Sequence, residues 1–148
     1  MEHVETLGKI ASVAVLGLGR LEIGWDDGQV ATVDISETIA ARAALAPLRD
    51  REEFARLSIS DDSWSLEWPC GVEFGATQLR RWADEQAGEI MPPALFRAWI
   101  EKHQLTQEHA AQALGLSRRM IAYYLNGEKP IPKTVWLATE GYAARRTA

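Results

Sequence analysis

The stretch from Leu105 to Pro132 is punctuated so closely that it leaves room for two short helices, a tight turn and little else. Thr106 stands where one helix can start, and Gly115 breaks it. Ser117 stands where the next can start, and Asn126-Gly127 closes that one. A Thr or Ser hydroxyl accepts from the free N–H groups of a first helical turn, and glycine adopts the left-handed conformation that ends a helix. Ala111 is small where the two helices must approach closely. Leu114, Leu116, Ile121 and Tyr124 supply apolar faces. Two short helices joined by a glycine-containing turn make a helix-turn-helix.

Helical spacing continues on both sides. Pro92-Pro93 can begin a helix carrying Leu95, Phe96, Trp99, Ile100 and His103. Pro130 and Pro132 precede another with Val135, Ala138 and Tyr142. Upstream the pattern is different. The run "IASVAVLG" from Ile10 is β-like, and "RLEIGWDDGQVATVDIS" alternates around Asp27-Gly28. That pair between two alternating runs predicts a hairpin with a type I′ turn. A helix over "SETIAARAALAPL" would be capped by Ser36 and stopped by Pro47. "DREEFARL" predicts a short acidic helix, Trp64 to Trp68 a strand ending at Pro69, and "ATQLRRWADEQ" a helix ended near Gly88. The fold class expected is an α+β N-terminal domain, a small antiparallel sheet with short helices, at residues 1–90. An all-α helix-turn-helix domain of four to five helices follows at residues 91–148.

Charge divides the chain at almost the same place. Of 148 residues, 25% are charged and the net charge is −5. Residues 1–92 hold 8 Lys/Arg against 17 Asp/Glu, and residues 93–148 hold 8 against 4. An acidic body thus carries a basic module. One adjacent pair in that module has no folding reason to be where it is. With Ser117 as cap, Arg118 and Arg119 occupy the first turn of a helix, where the macrodipole already supplies positive charge. Each costs about 0.3–1 kcal/mol there relative to an acid.

The residues "LTQEHAAQALGLSRRMIAYYLNGEKPIP" resemble the Cro/lambda-repressor-like family, also called the xenobiotic-response-element family. The matched pattern is Gln107, Ala111, Gly115, Ser117, Ile121 and Asn126-Gly127, within about residues 93–142. The resemblance implies a sequence-specific DNA-binding transcriptional regulator with its recognition helix, about residues 117–126, in the major groove. Arg118 and Arg119 then read base edges, since arginine pairs bidentately with guanine O6 and N7. Tyr123, one turn on, reaches a base edge, a thymine methyl or a phosphate. Gln107 and Asn126 lie against the DNA backbone by the same resemblance. Ser117, Lys129 and Lys133 complete the expected phosphate contacts. Ala110 departs from the family, which more often has a larger apolar residue there.

A second resemblance covers residues 10–85. Asp27-Gly28, Val33-Asp34, Pro47-Leu48, Phe54, Trp68-Pro69 and Gly71 are similar to a small bacterial α+β domain family of unknown function. It implies no catalytic residues. Its members are sometimes fused to helix-turn-helix domains and are linked to toxin–antitoxin gene pairs. Two alternative functions follow: an antitoxin-like module whose acidic domain binds a protein partner, and a small-ligand sensor.

Other features point to no chemistry. "LGLGRLEIG" has Glu22 where a dinucleotide loop needs its third glycine. Asp26 and Asp27 belong to a turn. His3, His103 and His109 lack metal-ligand spacing, and the two later histidines are expected on helix surfaces. Cys70 has no partner motif, and Trp25, Trp64 and Trp68 are expected in a sheet core. The expectation is therefore no enzyme, no cofactor and no metal. No apolar run reaches the roughly 18 residues of a membrane helix, and "MEHVETLGKI" has no signal-peptide pattern. A single cysteine forms no internal disulfide. The location expected is cytoplasmic, and the partners expected are double-stranded DNA and a second copy in a homodimer.

Overall fold

The computed structural model describes residues 8–147; His3 and the other opening residues lie outside that range. The fold is mixed α/β, a small antiparallel sheet near the N-terminus followed by several helices. The chain divides between Gln86 and Ala87 into two compact units.

The first unit starts with the meander β1 (Ile10–Gly17), β2 (Arg20–Trp25) and β3 (Val30–Asp34). Leu21 pairs with Val33 and Val15, and Ile23 pairs with Ala31 and Val13. Alternation sends Leu21, Ile23 and Val33 to one face, where all three are fully buried. The turn between β2 and β3 differs from the type I′ turn expected. Gly28 N–H donates to Trp25 O at 3.0 Å and Trp25 N–H to Gln29 O at 2.9 Å. Only Gly28, at φ +86°, takes positive φ. The connection is a longer loop in which one left-handed glycine suffices.

Next come α1 (Ser36–Ala41), a 3-10 segment (Ala43–Arg49) and α2 (Arg51–Phe54). The single helix expected here is split, and Pro47 lies inside the 3-10 segment instead of stopping a helix. Ser36 does not cap α1. The N-cap is Ile35, which makes no side-chain cap bond, and the Asp34 carboxylate accepts from Ser36 N–H at 2.9 Å and from its hydroxyl. At the other end the Arg49 guanidinium donates to the carbonyls of Ile39 and Ala40, both at 3.2 Å. Cations are favoured at a helix C-terminus.

A second small sheet, β4 (Ser58–Ile59), β5 (Ser65–Glu67) and β6 (Glu73–Gly75), leads into α3 (Ala76–Gln86). Trp68 centres this part of the core. Its Nε1 donates to Phe54 O at 2.9 Å, and its ring meets Phe54 at 5.9 Å and Phe74 at 5.7 Å. Trp25 is buried as expected, whereas Trp64 is exposed, with the Lys9 ammonium 5.7 Å from its ring. The Gln86 amide closes the edge of β3: it donates to Asp34 O at 2.7 Å and accepts from Asp34 N–H at 2.8 Å. Arg80 of α3 holds the hairpin through Asp27 at 3.2 Å and lies 4.8 Å from the Trp25 ring. Asp27 is thus a structural turn residue.

The second unit has β7 (Ile90–Met91), α4 (Pro93–Lys102), α5 (Gln107–Leu114), α6 (Arg118–Asn126), β8 (Ile131–Pro132) and α7 (Lys133–Thr147). It is not all-α. Met91 pairs with Ile131 and Ile90 with Pro132, which ties the entry of α4 to the entry of α7. Its core is Met91, Phe96, Trp99, Ala110, Ala111, Ile121, Tyr124, Ile131 and Val135. His103 is not a simple surface residue: its ring lies 5.1 Å from Tyr142 and 5.9 Å from Trp99. His109 is exposed.

Hydrogen bonds from the Ser36 hydroxyl and N–H hold the Asp34 carboxyl below its ordinary value of 3.8. Its folded pKa lies under the unfolded one. Its contribution to stability is therefore present above about pH 4 and is lost as pH falls through the folded value. Thermal unfolding followed from pH 7 to pH 2.5 should show a falling midpoint below pH 4, with a shallower fall in Asp34→Asn. An identical acid dependence in the variant would remove Asp34 from the account.

Candidate nucleic-acid interface

Local chemistry sets the geometry of α5 and α6. Thr106 caps α5 by accepting from His109 N–H at 3.1 Å. The helix ends at Gly115, which is left-handed at φ 70° and ψ 31°. Leu116 N–H then returns to Ala111 O at 2.9 Å, satisfying a terminal carbonyl. Two residues after Gly115, Ser117 caps α6 by accepting from Met120 N–H at 3.1 Å. Gly127 ends α6, again left-handed, and Glu128 N–H bonds Tyr123 O at 3.0 Å. Arg97 of α4 adds a cation at that end, its Nη2 donating to Leu125 O at 3.0 Å. Ala110 and Ala111 are buried.

Helix α6 turns Ile121 and Tyr124 inward and leaves Arg118 and Arg119 exposed. Its first turn has no acidic residue. Arg119 is not simply solvated. Its Nε donates to the Tyr123 hydroxyl at 2.6 Å, and its guanidinium carbon lies 5.4 Å from the Tyr123 ring. The Lys129 ammonium lies 5.0 Å from the same ring. Arg119, Tyr123 and Lys129 therefore form one cationic cluster. An aromatic face offsets part of the repulsion between cations and the helix N-terminus.

The remaining residues expected at the site are placed differently. Gln107 is exposed at the first position of α5. Ser117 is committed as acceptor to its own helix, which leaves its hydroxyl proton available. The Asn126 side chain is engaged with Glu128, donating to its carboxylate at 3.1 Å and accepting from its N–H at 3.0 Å. Lys133 lies 4.0 Å from Glu89, both side chains more than half exposed. Neither Gln107 nor Lys133 shares a hydrogen bond with the Arg119–Tyr123–Lys129 cluster among the described residues. The four-residue spacing of Arg119 and Tyr123 is a readable helical pairing, whereas Arg97 reaches α6 from another helix and leaves no local signal. Among the described residues no group of three or more His, Cys, Asp and Glu is arranged to hold a metal, and no helix is long and apolar enough to cross a membrane.

Residues 10–85 match the family described as protein of unknown function, DUF2442. The chain belongs to the DUF2442 family. A crystal structure of a protein from Nitrosomonas europaea is 40% identical, with 93% of this chain and 88% of that chain covered and a TM-score of 0.55. That protein is named "Putative DNA Binding Protein". Since 93% of the chain is covered, the likeness extends past the DUF2442 residues into the second unit. No curated protein matches the chain.

The Gly115 turn makes a measurable demand on stability. A Cβ at Gly115 meets nothing within 4 Å, so Gly115→Ala pays only for left-handed backbone. The expected loss is about 1 kcal/mol, read as a lower urea midpoint. A loss above about 3 kcal/mol, or none, would contradict the turn geometry.

Proposed function

We propose that this chain is a sequence-specific regulator that binds double-stranded DNA through a Cro/lambda-repressor-like helix-turn-helix. In this reading α5 and α6 are the two helices of the motif, α6 lies in the major groove, and the protein carries no catalytic activity. The observation that carries it is the exposed cationic N-terminal half of α6, Arg118 and Arg119, with Lys129 against the Tyr123 ring that Arg119 also meets and no acid in the first turn. Folding does not ask for this charge, and the helix dipole opposes it. A duplex supplies both guanine acceptors and phosphates to receive it.

The supporting contacts follow from position. Gln107 opens α5, where free N–H groups face outward and bind a phosphate. Ser117 can donate its hydroxyl proton, and Lys129 adds charge. Asn126 contributes through the C-terminal turn it shapes with Glu128. Lys133 must leave Glu89 to reach a phosphate, an exchange that costs little between exposed groups. The DNA-binding name of the 40% identical Nitrosomonas europaea protein agrees with this reading. One small module buries only roughly 600–1,000 Å² on DNA, so the working species in this reading is a homodimer on two half-sites about 34 Å apart.

Selection from a random duplex pool should return a palindromic consensus. Affinity for it should fall with salt at a log–log slope near −4, for about four neutralised phosphates. Arg118→Ala with Arg119→Ala should fold normally and lose discrimination worth about 1–3 kcal/mol for each base contact removed. A double variant that binds the selected site as tightly as the parent would refute the assignment.

A further inference from the structure

Arg119 and Tyr123 stand one helical turn apart, and their contact has a definite polarity. The Arg119 Nε–H is the donor and the Tyr123 oxygen the acceptor, at 2.6 Å. A guanidinium has five N–H donors, and this bond uses one, leaving the two Nη groups. A phenol that accepts at oxygen keeps its own proton free to donate. The ring face lies 5.4 Å from the guanidinium carbon and 5.0 Å from the Lys129 ammonium. The long Arg119 side chain is therefore held at two points before any ligand arrives, and an ordered side chain loses less freedom on binding.

Resting on the DNA-binding reading above, we infer that Tyr123 is a positioning residue that presents Arg119 to guanine. The two arginines then differ in how they are held. Arg119 offers a fixed pair of donors, which matches adjacent acceptors. Guanine alone presents two in the major groove, O6 and N7; adenine sets a donor beside its acceptor, cytosine offers a donor, and thymine an acceptor beside a methyl. Arg118 is exposed and reads its base without that support. The Tyr123 hydroxyl proton serves a neighbouring acceptor.

The full chain, Tyr123→Phe, Arg119→Lys and Arg118→Ala are compared on the duplex the parent selects and on one with its most constrained guanine replaced by adenine. Fluorescence anisotropy reads affinity, and side-chain NMR of the free protein reads the Arg119 Nε–H. The parent should prefer guanine by roughly 5- to 150-fold. Tyr123→Phe keeps the ring and loses the oxygen. It should forfeit most of that preference, up to about tenfold, while its affinity for unrelated duplex stays within about twofold. Arg119→Lys, with the charge but without the fork, should lose at least as much of the preference as Tyr123→Phe. Arg118→Ala should weaken both duplexes alike. The Nε–H should exchange slowly in the parent and quickly in Tyr123→Phe. A pair that merely stabilised α6 would shift unfolding and leave base preference alone. Full guanine preference in Tyr123→Phe overturns the positioning role while DNA binding stands. A parent that binds no duplex overturns the underlying reading and this inference with it.

Discussion

The geometry of the second unit depends on one constraint, the left-handed turn at Gly115 between α5 and α6. Helix α5 ends at Leu114 and α6 starts at Arg118, so the connection between them is short and sharp. Only a left-handed residue turns the chain that quickly, and Gly115 supplies it without strain. Ser117 then starts α6 at once. The first turn of α6 is thereby placed at the exposed end of the corner, and whatever side chains it bears are displayed. Here they are Arg118 and Arg119.

Charge placement follows a different logic in the two units. In the first, charges answer local helix and turn needs: Asp34 receives the N-terminus of α1, Arg49 the C-terminus, and Arg80 ties Asp27 to the sheet. Each lies where dipole or partner favours it. The Asp26-Asp27 turn and the lone Gly17-Leu18-Gly19 are likewise absorbed by the fold, with β2 following directly. At α6 the rule is reversed, and two cations crowd the positive end of a helix. The Tyr123 ring and oxygen moderate that arrangement for Arg119. An unfavourable placement that the surrounding structure tolerates is better evidence of an external partner than a favourable one.

What could be read from the sequence was chiefly what adjacent residues decide. Thr106, Gly115, Ser117 and Gly127 act through bonds to residues two to five positions away, and the structure uses each as a cap or a helix end. Where two local acceptors compete, the sequence is ambiguous. At α1 the N-cap is Ile35, and Ser36, one position inside the helix, donates to the Asp34 carboxylate. Asp27-Gly28 announced a hairpin without fixing its loop length, so the turn type differed. Distant pairings left no trace. The β7–β8 ladder joins segments about 40 residues apart through two residues each, and the packing of His103 on Tyr142 depends on how α4 meets α7. At the candidate site, the residue types and their helical positions were legible. The bond joining Arg119 to Tyr123, the Glu128 partner of Asn126 and the Glu89 partner of Lys133 needed coordinates.

The central claim is that α6 presents its N-terminal half to a duplex. Titrating the labelled full chain with its selected duplex, and mapping backbone and side-chain NMR shifts residue by residue, addresses it most directly. The account predicts the largest changes at Gln107, Ser117, Arg118, Arg119, Tyr123 and Lys129, with the sheet of residues 10–34 little affected. Changes concentrated in the DUF2442 residues, with α6 unmoved, would contradict it.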